Sequence, residues 1–222
     1  MLIQSKFGTI AIGALLTTCL LFAGDPPTSS GGADAGAEAL RQLQIGHARF
    51  LCGKPDHPRA GSDRREDTFK GGQHPFAIFL SCADSRVPVE VIFDQGVGDV
   101  FVVRVAGNVT DKHQAGSIEY GVEHLHAPLV VVMGHRGCGA VAAAASNGHI
   151  EGNVGSIVDS IKPAVERAER ANPGLKGDGL LAEAVKANVF LSVENLLKSS
   201  PMLSQLVKSK KLTIVGAVYD IE

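Results

Sequence analysis

The hydrophobic positions of this chain fall into two kinds of run. Phe76-Ala77-Ile78-Phe79-Leu80-Ser81, Val100 to Val105, Leu129 to Met133 and Leu212 to Val218 are nearly continuous apolar stretches, the pattern of parallel strands covered on both faces. Elsewhere the apolar residues recur at helical spacing. Leu40, Leu43, His47 and Phe50 share one face of a predicted helix over 38–50. Pro88 to Phe93 opens with proline and predicts a short helix. Ser117 to His126 places Ile118, Val122 and Leu125 on one side, with Pro128 beyond the end. Gly139 to Ala145, Val154 to Arg170 and Leu180 to Leu197 predict three more helices. The polar stretch 53–72 predicts a loop with a helical turn at 62–66, and Lys208, Lys210 and Lys211 a solvated turn. The order β-α-β-α-β-helices-β predicts an α/β fold, a mostly parallel central β-sheet flanked by helices.

The amino end reads differently. Lys6 precedes an apolar run from Phe7 to Ala23, and Gly24-Asp25-Pro26-Pro27 ends it. That is the layout of a signal peptide over 1–23, which makes the bacterial periplasm the expected location. Leu16-Thr17-Thr18-Cys19 is a poor lipoprotein signal, because threonine precedes the cysteine and the apolar run continues past it. The run is short and interrupted by Gly8 and Gly13, so no stable membrane insertion of the mature protein is expected. Residues 24–37 are small and polar, a flexible linker. Residues 38–222 remain as one folded domain, long enough for its own core. Lys plus Arg 21 against Asp plus Glu 23 gives a formal charge of −2 with no basic block, which removes the electrostatic basis for a nucleic-acid partner.

Two segments carry chemistry. Cys82-Ala83-Asp84-Ser85-Arg86 and His135-Arg136-Gly137-Cys138-Gly139 each directly follow a predicted strand, and open α/β sheets bind ligands at strand carboxyl ends. Two thiolates, an imidazole and a carboxylate supply ligands for tetrahedral zinc. Cys82 and Asp84 are two apart in an extended segment and point the same way; His135 and Cys138 are three apart in a glycine-rich turn. Arg86 is near enough to Asp84 for a bidentate pair. A closed structural site has no use for that arginine, whereas a catalytic site needs a position that opens to water. Asp84 moving from the metal to Arg86 provides such an opening. Export permits disulfides, and a Cys82–Cys138 disulfide is the bland alternative. Cys52 is expected to be inert and buried just after the first helix.

Together these two motifs resemble those of the beta-class carbonic anhydrases, and the likeness runs from Glu38 to Val218. The resemblance implies one zinc per chain held by Cys82, His135 and Cys138, with Asp84 as fourth ligand or paired with Arg86. It implies reversible hydration of carbon dioxide to bicarbonate and a proton by zinc-bound hydroxide. Gln73, nine residues before Cys82, matches the glutamine that hydrogen-bonds substrate from across the subunit interface. Phe101, Ala106, Tyr120 and Gly139 match positions lining the substrate pocket. The family forms homodimers, often paired into tetramers, with an amino-terminal helical arm packed on the partner. A carbon disulfide or carbonyl sulfide hydrolase on the same scaffold, or a non-catalytic zinc- or bicarbonate-binding homologue, are the alternatives. Bicarbonate-regulated relatives carry a tryptophan near the first motif, where this chain has Phe79 and no tryptophan at all.

Overall fold

All four apolar runs are strands, and they lie side by side. The structure is a computed structural model and describes residues 2–4, 32–146, 148 and 150–222. In chain order the strands are β1 (Leu2–Gln4), β2 (Ala77–Ser81), β3 (Val100–Arg104), β4 (Leu129–His135) and β5 (Thr213–Tyr219), arranged in space as β1-β5-β4-β2-β3. β2 to β5 are joined by parallel pairings, and β1 runs antiparallel along the outer side of β5. The helices are α1 (Gly32–Leu51), α2 (Ser62–Gly71), α3 (Val89–Ile92), α4 (Lys112–Glu123), α5 (Gly139–Ala145), α6 (Gly152–Ala171), α7 (Gly177–Ser199) and α8 (Pro201–Lys208).

Alternate side chains of each strand leave the sheet on opposite faces, and both faces are covered. Phe79, Leu129, Val131 and Met133 pack under α1 and α3 with Leu43, Ile92 and Phe93. Ile78, Leu80, Val130 and Val132 pack against Ile118 of α4, Val189 and Leu196 of α7 and Leu203 of α8. This two-sided burial is why the strands read as unbroken apolar runs. A third cluster joins α5, α6 and α7 through Val141, Ile161 and Val185, and it includes Cys82 and Cys138.

Several boundaries differ from the pattern-based expectation. α1 starts at Gly32, inside the stretch read as a linker, and α2 is a full helix where only a turn was expected; α2 buries no residue, so it has no apolar stripe to show. α4 begins at Lys112, with Asp111 and Gln114 forming a capping box, and Leu125 lies beyond its end, only half-buried. α8 precedes the lysine turn, with Ser200 as its cap and Pro201 in its first turn. Cys52 is exposed rather than buried. Of the segment read as a signal peptide, only β1 is described; residues 5–31, including the rest of that segment, lie outside the described residues. Among the described residues no helix is long and apolar enough to cross a membrane.

α1 is fastened to its own protomer. Ala39 and Leu43 are buried on the sheet, and His47 Nδ1 meets the Ile92 carbonyl at 3.0 Å among Phe50, Phe93 and Tyr219. At its end Arg49 donates to Asp94 at 2.5 Å, and Asp94 also accepts the Asp56 and His57 N–H groups, each at 2.9 Å. Burial alone would raise the Asp94 carboxyl, but these donors outweigh it and hold it below its ordinary value. A depressed carboxyl stabilises the fold above the unfolded-state pKa of about 3.9 and loses that contribution as pH falls through the folded value. Asp94→Asn is therefore expected to cost about 1–3 kcal/mol at neutral pH. It should also flatten the acid limb of a Tm-against-pH curve; an unchanged acid limb would count against Asp94 as a source of acid lability.

Candidate metal centre and active site

The sheet brings the two motifs together. β2 and β4 are adjacent and parallel, with Ser81 opposite Met133, so Cys82 emerges beside Gly134 and His135 closes β4. Gly137, at φ 65°, turns the chain from β4 into α5. Cys138 occupies the N-cap position of that helix. Residues 56 positions apart thus place Sγ atoms 4.0 Å from each other, and both cysteines are free, so there is no disulfide between them.

The ligand atoms of Cys82, His135 and Cys138 all lie within 4.8 Å of one another, and all three residues are buried. His135 Nδ1 lies 3.0 Å from the Arg136 carbonyl, which accepts a hydrogen bond from the Nδ1–H and so fixes the tautomer. Its Nε2 is buried with no hydrogen-bond partner and faces the two sulfurs. A buried polar atom without a partner is costly, and a metal ion satisfies it. Two sulfurs and one imidazole nitrogen are the donor set zinc prefers, with a fourth position left over.

The electrostatics fit a cation at the same point. Hydrogen bonding from Cys138 pulls the Cys82 thiol down to about 4 against the effect of burial. Cys138, the donor in that pair and itself buried, is raised. Burial alone would lower His135, but the adjoining Cys82 sulfur and the Asp84 carboxylate outweigh it and raise it. The metal-free site therefore keeps protons on Cys138 and His135, and both must leave when zinc binds. Calorimetry of zinc binding to apo-protein in buffers of different ionisation enthalpy should show about two protons released per zinc near pH 6, declining toward one as pH rises above the His135 value. No buffer dependence would mean that, before zinc binds, Cys138 is already ionised and His135 already neutral.

Asp84 is turned toward Arg86. Arg86 Nε and Nη2 meet the two carboxylate oxygens at 2.9 and 2.8 Å, and the Arg86 N–H adds a third bond at 3.0 Å. Asp84 Oδ2 stays 3.7 Å from His135 Nε2, so the carboxylate overhangs the ligand cluster while held to the arginine. Arg86 keeps the Asp84 carboxyl well below the usual carboxylate range.

A family pattern described as carbonic anhydrase matches residues 77–222. A tetrameric beta-carbonic anhydrase structure from Sordaria macrospora superposes with a TM-score of 0.65 at 25% identity, covering 83% of this chain and 90% of that one. Carbonic anhydrase 2 of Mycobacterium tuberculosis is 40% identical over 190 residues, covering 83% of this chain and 88% of that protein. The chain belongs to the beta-class carbonic anhydrases. The carbonic anhydrase of Mycolicibacterium smegmatis is similarly related, 39% identical with 82% and 88% of the two chains covered. Zinc-dependent hydration of carbon dioxide is the activity this family membership and the Cys-His-Cys cluster establish.

Not every residue expected in the carbonic anhydrase site reaches it within one protomer. Ala106 and Gly139 sit beside the cluster, Ala106 just before the Gly107 N–H that meets Cys82 Sγ at 3.3 Å, and Gly139 directly after Cys138. Phe101 is paired with Ile78, three residues before the strand end, and its ring packs on Tyr120 at 6.2 Å. Gln73 and Tyr120 line a separate open groove of about 920 Å³ with Phe69, His74, Val97 and His126. Pattern reading also passed over groups that shape the first motif. Arg104 donates to the carbonyls of Cys82 and Asp84 at 2.9 and 2.6 Å; its signal was a lone charge at the end of an apolar strand.

Proposed function

We propose that carbon dioxide hydration takes place at a composite site, one zinc per chain held by Cys82, His135 and Cys138, with Gln73, Phe101 and Tyr120 supplied by the partner subunit of a homodimer. The partnerless, fully buried His135 Nε2 facing two free thiols carries the metal reading. Cys82, His135 and Cys138 would hold the zinc, which would supply a water of pKa lowered toward neutrality, the carbonic anhydrases with three histidine ligands being the standard instance of this effect.

The protein's own groups have distinct tasks. Arg86 holds Asp84 ionised and away from the fourth position, leaving it open to water. Asp84, an acceptor on both oxygens while ionised, receives a hydrogen bond from the attacking oxygen and aims its lone pair at the substrate. The apolar ring pair of Phe101 and Tyr120 suits carbon dioxide, which has no charge to pair, and the Gln73 amide can donate to the oxygen on which charge grows.

A second copy of the chain is supported by an uncovered surface. β3 is an edge strand whose residues 100–103 are only half-buried. Beside it Phe69 is 89% exposed and Tyr120 46% exposed. Exposed apolar edges of this kind are normally covered. Covering this surface with a partner shelters both rings and delivers Gln73 to a neighbouring site, and the exposed end of α1 extends the contact. The apolar run after Lys6 supports export to the periplasm.

Stopped-flow hydration of carbon dioxide between about pH 6.5 and 9, with zinc quantified in the same samples, tests this reading. Activity rising with pH at one zinc per chain is expected. Zinc-replete protein inactive throughout that range would overturn it in favour of a closed structural site.

A further inference from the structure

Gly107 and Asn108 form an unusual joint behind the metal ligands. They lie in a single 3-10 turn, Ala106–Asn108, after β3. Gly107 has φ 69° and Asn108 φ 44°, both left-handed, and both residues are buried. A non-glycine residue in that region is disfavoured, so the turn needs outside support. A side chain in place of the glycine would be strained at this φ, and its Cβ, 2.5 Å from Ile161 Cδ1, would force that methyl to move.

The support comes from α7, about eighty positions further along the chain. Asn188 Nδ2 donates to the Gly107 carbonyl at 2.7 Å, and Ser192 Oγ donates to the Asn108 carbonyl at 2.8 Å. The two are four residues apart and share one face of the helix; they are 1% and 2% exposed. Thr110 Oγ1 donates back to the Ser192 carbonyl at 3.2 Å. The arrangement is not an economical piece of core. Asn188 Oδ1 and Asn108 Nδ2 are buried without partners, a cost a hydrophobic residue would avoid. What it fixes is the turn that carries the Gly107 N–H: the anchored carbonyls belong to the two peptides that follow it, and that N–H meets the Cys82 sulfur at 3.3 Å.

We propose that Asn188, assisted by Ser192, is a positioning residue for the reaction, holding the Gly107 amide on the Cys82 thiolate and so setting how much charge that sulfur donates to the metal. A hydrogen bond to a coordinating thiolate withdraws charge from it, leaving the metal a stronger Lewis acid. Asn188 touches neither substrate nor metal, and it acts through one backbone N–H. This rests on the metal reading above.

Cobalt substitution of the full-length protein separates the two claims. Wild-type protein should show a sulfur-to-cobalt charge-transfer band; its absence would sink the metal reading itself. Asn188→Leu keeps the side-chain volume close to the original and removes the donor. Its band should move to lower energy, because a thiolate without its hydrogen bond gives up an electron more easily, and hydration by the zinc form should fall about 10–100-fold. Ser192→Ala, a milder change, should shift the band in the same direction by less. If Asn188→Leu does not fold, the Ser192→Ala band decides alone. Bands at the wild-type position in the variants that fold would overturn the proposal and leave Asn188 and Ser192 as structural ties only, however much the melting temperature drops.

Discussion

Cys138→Ala protein is expected to purify without zinc and to hydrate carbon dioxide at no more than the buffer background. Three protein ligands are the minimum of a catalytic zinc site with an open position, and this substitution leaves two. It also strips Cys82 of the neighbour that stabilises its thiolate, so the Cys82 thiol, lowered to about 4 beside Cys138, should rise toward the ordinary thiol range and ligate more weakly at neutral pH. The two losses act in the same direction. Global stability should change less than activity does, because Cys138 lies at a helix end and its backbone carbonyl still accepts the Ala142 N–H at 2.9 Å. Zinc analysis and stopped-flow rates on the same preparation check this. Stoichiometric zinc with wild-type activity in the variant would show that the cluster is not the metal site.

That site was legible from the chain because strand pairing does most of its assembly. Once Ala77–Ser81 and Leu129–His135 are recognised as buried parallel strands, their carboxyl ends must lie on one side of the sheet, and Cys82 and His135 follow. The apolar runs gave this away because both sheet faces are covered. Helix boundaries were less legible for identifiable reasons. α2 has no buried side chain, so periodicity had nothing to act on. α4 starts five residues before the segment first read as helical, and the capping pair Asp111 and Gln114 was the signal to weigh there. Ser200 and Pro201 announced α8 in the same way. The support behind Cys82 left a fainter trace: Asn188 and Ser192 fall on the same stripe of α7 as Val185 and Leu196, polar residues on a face that is otherwise core. Gln73, Phe101 and Tyr120 had no signal in the apolar pattern and were named from the family resemblance alone; within this chain Gln73 and Tyr120 line a groove apart from the ligand cluster.

Arg86→Ala protein should retain zinc and lose most of its activity near neutral pH, by about 10²-fold, the scale of a misplaced reacting group. In the present arrangement three hydrogen bonds hold Asp84 to Arg86. Two of them come from the guanidinium, and without those two the carboxylate, already overhanging the ligand cluster 3.7 Å from His135 Nε2 and kept only by the backbone N–H, can turn to the fourth position and exclude water. The pH dependence separates this from a simple loss of charge. Asp84 lies well below the usual carboxylate range and Arg86 above its own, so neither changes charge between about pH 5 and 9. The wild-type pH–rate curve should accordingly rise with the slope of a single ionisation, since the pair holds the gate open throughout. In the variant, hydroxide must compete with a carboxylate that has lost its guanidinium partner, which displaces the curve to higher pH without loss of bound metal. Arg86→Lys restores charge but not the bidentate fork and should recover only part of the rate. A variant with the wild-type curve scaled down uniformly, and unimproved by lysine, would instead assign Arg86 a role unrelated to holding Asp84.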